Sequence, residues 1–443
     1  MLSCARMSTE PLSRRWLARL AFAGLCVHAA FLPVSIAGMQ IGLGVSLAAL
    51  VVLALLGRRT WAHGPLDLPL LSFAGAALLS IAVAWAAGSP PVGWFEATLW
   101  KSALSPLVVL SAVSLAQPGD GEGGGPARRR ALLALSIWAA ASLVPSALAW
   151  VQHFTPFDPL YAMGLRAEPR LAQAPRAPGR WAAMGLFHWY QRLAHNLTPP
   201  LLLAAALALQ GGLPRRRRLL LGVAGAAAAA AVGLTMSRAA WVALAAGAGV
   251  LALAAGRRLA RLALPATAAV ALALVLLNPS LRERLSHAFD PQENADRGTI
   301  WKVCAAVVKD HPVAGVGFGN LPRRSLPYYD RLAPTYPLRA WCHDAFFSAW
   351  AEGGPILLGG VLLYWGGLFL AFARRRRQAP PGPDGALARA AAAGALAGLA
   401  AMLLNSLAHD IFYASESMYG LGFALGIAAG LTRGDGPPPA GAA

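Results

Sequence analysis

Residues 215–258 read RRRR LLLGVAGAAAAAAVGLTMSRAAWVALAAGAGVLALAAG RR: two apolar stretches, 219–236 and 239–256, meet at Ser237-Arg238 and are closed at both outer ends by arginines. Each stretch comes close to the ~20 apolar residues an α-helix needs to cross a bilayer. Arginine runs beside apolar spans collect on the cytoplasmic side of a membrane. Arg215 to Arg218 and Arg257-Arg258 therefore hold both outer ends inside, and the pair is predicted to cross twice with Arg238 at the far face. The same bias disfavours an arginine in that tight far-side turn, so an anionic group is expected to compensate Arg238.

The rest of the chain repeats this pattern. Further apolar spans fall near 16–35, 36–56, 68–88, 97–116, 131–151, 190–210, 262–277, 355–373, 387–407 and 417–433, which with the first pair makes twelve. With the amino terminus inside, strict alternation also puts Arg58-Arg59, Arg128-Arg129-Arg130 and Arg374 to Arg377 on the cytoplasmic side. The first apolar run lacks a small-residue cleavage pattern and is read as a retained helix. Hydrophobic residues make up 57% and charged residues 13%, which a soluble globular chain does not show. The expected fold is therefore all-α, a polytopic membrane protein of about twelve transmembrane helices. Its parts are 1–277 with the first nine spans and a smaller outer loop near 152–189, 278–354 as a large outer loop with short helices, and 355–443 with the last three spans and a cytoplasmic tail.

The excess of 38 Lys plus Arg over 19 Asp plus Glu is absorbed by these topology signals. Basic residues interleaved with aromatics on a polar domain are missing, so nucleic acid is not expected as a partner. DxD, HExxH and CxxC patterns are also missing, and His409-Asp410 reads as an isolated pair, so no metal and no other cofactor is expected. Cys304 and Cys342 share the outer face; buried free thiols are the preferred reading over a pair.

Chemistry is expected on the face opposite the arginine runs. In DRGTIWKVCAAVVKDHP, residues Ile300, Trp301, Cys304, Val307 and Val308 share one helical face, with Asp296 as N-cap and His311-Pro312 as stop. Such a helix either lies in the membrane interface or packs over the bundle. The glycines of the following HPVAGVGFGN are no dinucleotide fingerprint, since no strand precedes them; they let backbone approach other backbone or substrate. Arg192, Arg238, Arg297 and His343 stand at outer span boundaries. Several guanidiniums at one interface suit a lipid diphosphate, because each can bind phosphate oxygens bidentately. His343 can accept a proton near neutral pH. Arg166, Arg170, Arg176 and Arg180 on the same face are read as generic charges.

The blocks LTMSRAAWVAL (234–244), DRGTIWKVCAAVVKDHPVAGVGFGN (296–320) and HDAFFSAWAEGGPILLGG (343–360) together resemble the O-antigen ligase and polymerase family of bacterial membrane glycosyltransferases, which share a Wzy-C-type domain. The resemblance implies a GT-C-like fold in the bacterial inner membrane with its active site facing the periplasm. It implies transfer of a glycan from undecaprenyl diphosphate to lipid A-core, with inversion and without metal. It carries a catalytic role onto His343 and donor diphosphate binding onto Arg238 and Arg297, with Arg192 a weaker match placed by topology. Two departures stand out: Asp344 replaces the asparagine of the family's His-Asn, and Gly354-Pro355-Ile356-Leu357 replaces its Gly-Leu-x-Gly. The most similar activity is O-antigen ligase. Alternatives are a polymerase extending undecaprenyl-linked repeats, a protein O-oligosaccharyltransferase and, outside the enzymes, a lipid-linked glycan transporter.

Overall fold

Apolar runs of this length satisfy their backbone hydrogen bonds internally only as helices, and helices are what the computed structural model contains. It describes residues 12–115, 125–173, 179–256, 295–336 and 341–433. The helices are α1 Leu12–Phe31, α2 Ile36–Leu55, α3 Asp67–Ala86, α4 Ser105–Ser114, α5 Gly125–Phe154, α6 Tyr190–Gln210, α7 Arg215–Leu234, α8 Arg238–Ala254, α9 Ala295–Asp310, α10 Ala345–Gln378, α11 Gly382–Ser406 and α12 Ser415–Leu431, with short helical turns between some of them. Among the described residues no strand occurs, only one isolated bridge between Gln173 and Trp181. Among the described residues seven spans, Trp94–Ser114 among them, are long and apolar enough to cross a membrane. The chain is an all-α polytopic membrane protein.

Small residues bring the helices together. A Cβ on Gly42 of α2 would lie 2.3 Å from the His28 nitrogen of α1, and one on Gly420 of α12 would lie 2.5 Å from the Asn196 oxygen of α6. Such backbone-to-backbone contact is how helices pack where lipid removes the hydrophobic drive between them. α12 is buried along its whole length, at the centre of the bundle.

Eleven of the twelve expected spans coincide with helices; the one at 262–277, together with Arg257-Arg258, lies outside the described residues. Two differ in detail. The span expected at 97–116 is broken into Trp94–Ala97, a 3₁₀ turn Leu99–Leu104 and α4, because Pro106 at the start of α4 supplies no backbone donor to the preceding turn. α10 starts ten residues earlier than the expected 355 and runs through a kink at Gly354 (φ 58°, ψ −152°), the expected domain boundary.

The arginine runs gather at one end. Arg14 donates to the Leu56 carbonyl (2.5 Å), Arg130 to Val113 (2.9 Å), Arg375 to Ala429 (3.0 Å), Arg376 to Ala254 (2.7 Å) and Arg433 to His63 (2.8 Å). Arg128 pairs with Asp384 at 2.9 Å. Arg14, Arg130, Arg375 and Arg376 thereby cover carbonyls left open at helix C-termini.

At the other end the segments 155–173, 179–189, 295–336 and 341–344 form a layer over the bundle. α9 buries Ile300, Cys304 and Val307 against Val316, Leu321, Cys342 and Ala351, so its apolar face is filled by protein, as in the packed-helix alternative. Asp296 sits in the first turn of α9 rather than capping it. Cys304 and Cys342, read from sequence as free thiols, form a disulfide with Cα atoms 6.0 Å apart. That face of α9 packs directly on the 341–342 segment, a proximity invisible from a 38-residue separation.

The kink explains the glycine-rich loop. Pro355 lacks the N–H that would meet the Ala351 carbonyl one turn back, and the Gly354 turn also withdraws the donor for Glu352. The loop supplies both: Val316 N–H donates to Ala351 (3.0 Å) and Gly317 N–H to Glu352 (2.7 Å). Gly315 (φ 61°) must be glycine, because a Cβ there would lie 2.3 Å from the Glu352 carbonyl carbon.

Candidate active site

The loop holds a buried carboxyl group at its centre. The Glu352 side chain, fully buried on α10, accepts from Gly319 N–H (2.9 Å), Leu321 N–H (3.0 Å), Trp341 Nε1–H (3.3 Å) and the Tyr413 hydroxyl. Four donors match the acceptor capacity of a carboxylate. Glu352 thereby ties the glycine loop, the segment before His343 and the turn before α12 into one unit.

His343 stands on that unit at the mouth of α10. Its backbone is left-handed (φ 52°), which side-chain-bearing residues rarely adopt. Two carboxylates hold it there. Asp344 caps α10 by accepting from Phe346 and Phe347 N–H (both 2.9 Å), so the departure from asparagine keeps the cap. Asp410 accepts the His343 backbone N–H (2.8 Å) through Oδ2 and the Ser348 hydroxyl through Oδ1. Asp410 Oδ2 also lies 3.9 Å from His343 Nδ1. Met236, two residues before Arg238, is the other non-glycine in the left-handed region among the described residues (φ 58°). The sequence blocks at Arg238 and His343 are thus also the places where backbone strain is stored.

The expected cations converge on this end. Arg192 and His343 line a cavity of about 290 Å³ together with Trp189, Gln191, His195, Trp341, His409 and Asp410. Arg297 on α9 donates to the Ala408 carbonyl (3.2 Å), next to His409. Burial and the charge of Arg238 both pull the Arg297 guanidinium below its ordinary pKa, while Asp410 and Asp344 oppose that pull. The charge of Arg238 is thus felt at Arg297, which holds the carbonyl next to cavity-lining His409. Arg192 has a structural partner in the buried Glu416 of α12 (3.3 Å), whose other oxygen faces His188 at 3.9 Å. Of the lesser arginines, Arg166 bridges to Asp158 (3.0 Å) and donates to Phe187, and burial and Arg192, followed by Arg170 and Arg166, lower the pKa of cavity-lining His188; Arg180 lies over Phe154, and Arg176 falls outside the described residues.

Helix polarity adds to the positive field. α6, α8, α10 and α12 all begin at this end, and their N-terminal amide groups carry partial positive charge. The same field keeps the imidazoles neutral. Burial and then Arg297 lower the pKa of His343, and burial followed by the neighbouring histidines and arginines lowers that of His409. Burial pushes Asp410 up to about 7, against the bonds from Ser348 and His343. A neutral, 37%-exposed imidazole beside a carboxylate can take a proton, and the surrounding guanidiniums can hold an anion.

Residues 223–364 match the family model of the O-antigen ligase, about a third of the chain. The chain carries an O-antigen ligase family domain. Families of this kind comprise ligase- and polymerase-type membrane glycosyltransferases. The domain contains Arg238, Arg297, Glu352 and His343, whereas Arg192 and Asp410, which line the cavity, and Glu416, which pairs with Arg192, come from outside it. No curated protein matches the chain significantly.

Sequence reasoning gave no site role to Asp410, Glu416 or the paired His195 and His409, whose rings lie 5.1 Å apart. The available signal was three ionisable residues, His409, Asp410 and Glu416, in one short turn between apolar spans on the outer face. Read alone, His409-Asp410 had no partner in sequence; folding supplies His343 from 67 residues away.

Proposed function

We propose that the protein is an O-antigen ligase that moves a glycan from undecaprenyl diphosphate to lipid A-core, at the periplasmic face of the bacterial inner membrane. The observation that carries this reading is the gathering of Arg192 and His343, from distant parts of the chain, around one cavity, with Arg297 holding the carbonyl next to cavity-lining His409 and within reach of the Arg238 charge. The basic opposite end supports the orientation, since arginine-rich ends stay in the cytoplasm. A disulfide on the site side fits an oxidising compartment.

In this mechanism Arg192, Arg238 and Arg297 hold the diphosphate and stabilise the charge that develops as the glycosidic bond to it breaks. The acceptor hydroxyl, oriented by His343, attacks the anomeric carbon from the opposite face, which inverts the anomeric configuration. Its proton passes to the His343 imidazole, and Asp410 steadies the resulting cation. The leaving group is undecaprenyl diphosphate, already a stable anion, so arginines suffice to receive it.

The test is a lipopolysaccharide gel with parallel extraction of undecaprenyl-linked glycan, in a host lacking this gene and complemented with wild type or His343→Ala. Polymer that accumulates on undecaprenyl over bare lipid A-core in the His343→Ala host, and moves to core with wild type, is the expected result. Core bearing single repeats in the mutant would reassign the protein to polymerisation. Glycan moving across membranes without change of carrier would replace transfer by transport.

A further inference from the structure

The O-antigen ligase reading uses Arg297 and His343 together, yet the two belong to separate segments: Arg297 to α9 and His343 to the approach to α10. One face of α9 joins them. Arg297, Trp301 and Cys304 follow at helical spacings of four and three, so they project from the same side. Each grips the site. Arg297 donates to Ala408, Trp301 Nε1–H donates to the Cys342 carbonyl (3.0 Å), and Cys304 is bonded to Cys342. Cys342 immediately precedes the left-handed His343, and its own N–H donates to Ser348 Oγ (3.0 Å), which in turn donates to Asp410. Both sulfurs are buried, at 1% and 0% exposure for Cys304 and Cys342.

We propose that Cys304 and Cys342 are positioning residues: their disulfide fixes the His343 backbone against the helix that carries Arg297, and the protein acquires its full transfer rate only once that bond has formed. The hydrogen bonds from Trp301 to the Cys342 carbonyl and from the His343 N–H to Asp410 are weaker tethers, and without the covalent link they leave the segment looser around the strained His343. The bond forms when the two thiols lose two protons and two electrons to a protein disulfide of the compartment, through a mixed disulfide, leaving that partner as a dithiol. Because the finished fold buries both sulfurs, oxidation belongs to the folding of the outer layer and the completed bond resists reductants. This rests on the ligase reading for the rate, but not for the geometry.

The experiment uses full-length protein in detergent. Alkylation followed by mass spectrometry should find Cys304 and Cys342 as one linked peptide in wild type, before and after mild dithiothreitol without denaturant; two alkylated thiols in the untreated protein would overturn the proposal. Cys304→Ala, Cys342→Ala and the double variant should each react with diethylpyrocarbonate at His343 at least ~5-fold faster than wild type, with equal effects because one bond is lost in all three. Their kcat should fall about tenfold or more with KM changed less than threefold. Wild-type labelling and kcat in the double variant would show that the disulfide does not position His343. Should the alanine variants misfold by size exclusion, wild type expressed in a host lacking disulfide oxidation supplies the reduced form, with the same two outcomes. Faster His343 labelling in a protein whose wild type transfers no glycan would retain the positioning and discard the ligase reading.

Discussion

Glu352→Ala offers the sharpest test of how the outer layer is held. The substitution leaves Gly319 and Leu321 N–H buried without their acceptor, and Trp341 and Tyr413 lose theirs too. An unsatisfied buried donor costs ~1–3 kcal/mol, so the two backbone groups alone remove roughly 2–6 kcal/mol from the local stability of the layer. Glu352→Gln should cost about half as much. Its remaining oxygen still serves Leu321 and Trp341, and the Tyr413 hydroxyl can turn to accept from the new amide, which leaves Gly319 as the one orphan at ~1–3 kcal/mol. Hydrogen exchange of the Gly319 and Leu321 amides reads this directly. At tenfold per 1.4 kcal/mol, Glu352→Ala should speed their exchange by roughly 30-fold to 10⁴-fold, while amides in the middle of α11 stay at the wild-type rate. Wild-type exchange at both amides in Glu352→Ala would mean that the carboxyl group is not what holds the loop.

Other substitutions probe the site and its frame. His343→Ala should lower transfer by ~10²–10⁴-fold with unchanged expression and thermal midpoint, measured with purified protein and lipid-linked donor; full activity would remove the imidazole from the mechanism. Arg238→Lys and Arg297→Lys should each slow turnover about tenfold, because an ammonium keeps the charge but loses the two-pronged contact to phosphate, and unchanged kinetics in both would make them structural. Gly315→Ala should lower the thermal midpoint, losing at least ~1–2 kcal/mol for its left-handed backbone. The close approach to Glu352 adds to that loss; an unshifted midpoint would refute the fit. Because burial and Arg297 lower the pKa of His343 from 6.5, the base stays neutral on acidification down to its shifted value. Transfer should therefore hold through 6.5 and fall with an acid limb centred below it, and a limb centred above 6.5 would contradict the sign of the shift.

How far the site was legible follows the range of the interactions that build it. Arg192, Arg238, Arg297 and His343 could be named because each breaks a local rule, a charge at a span boundary on the face where arginine is disfavoured. Asp410 and Glu416 showed locally only their crowding with His409 into one short outer turn. Their meaning lies in partners 67 and 224 residues away, His343 and Arg192, which no periodicity encodes. The reading of the GVGFGN glycines as places of close approach was possible from glycine chemistry, whereas the thing approached, the carbonyls opened by Pro355, needed the fold. The cysteines failed for the same reason, since pairing depends on where α9 lies over the layer.

What the sequence determined by itself was the solvent and the direction of the chain. Runs of apolar residues fix helices because lipid satisfies no backbone group, and arginines sort to one end by charge; both are sums of local terms. The tertiary structure decided which ends meet. A carboxylate from one turn, a histidine from another and a disulfide across the layer come together only when small residues let the helices pack at contact distance, and that geometry is a property of the whole bundle rather than of any segment.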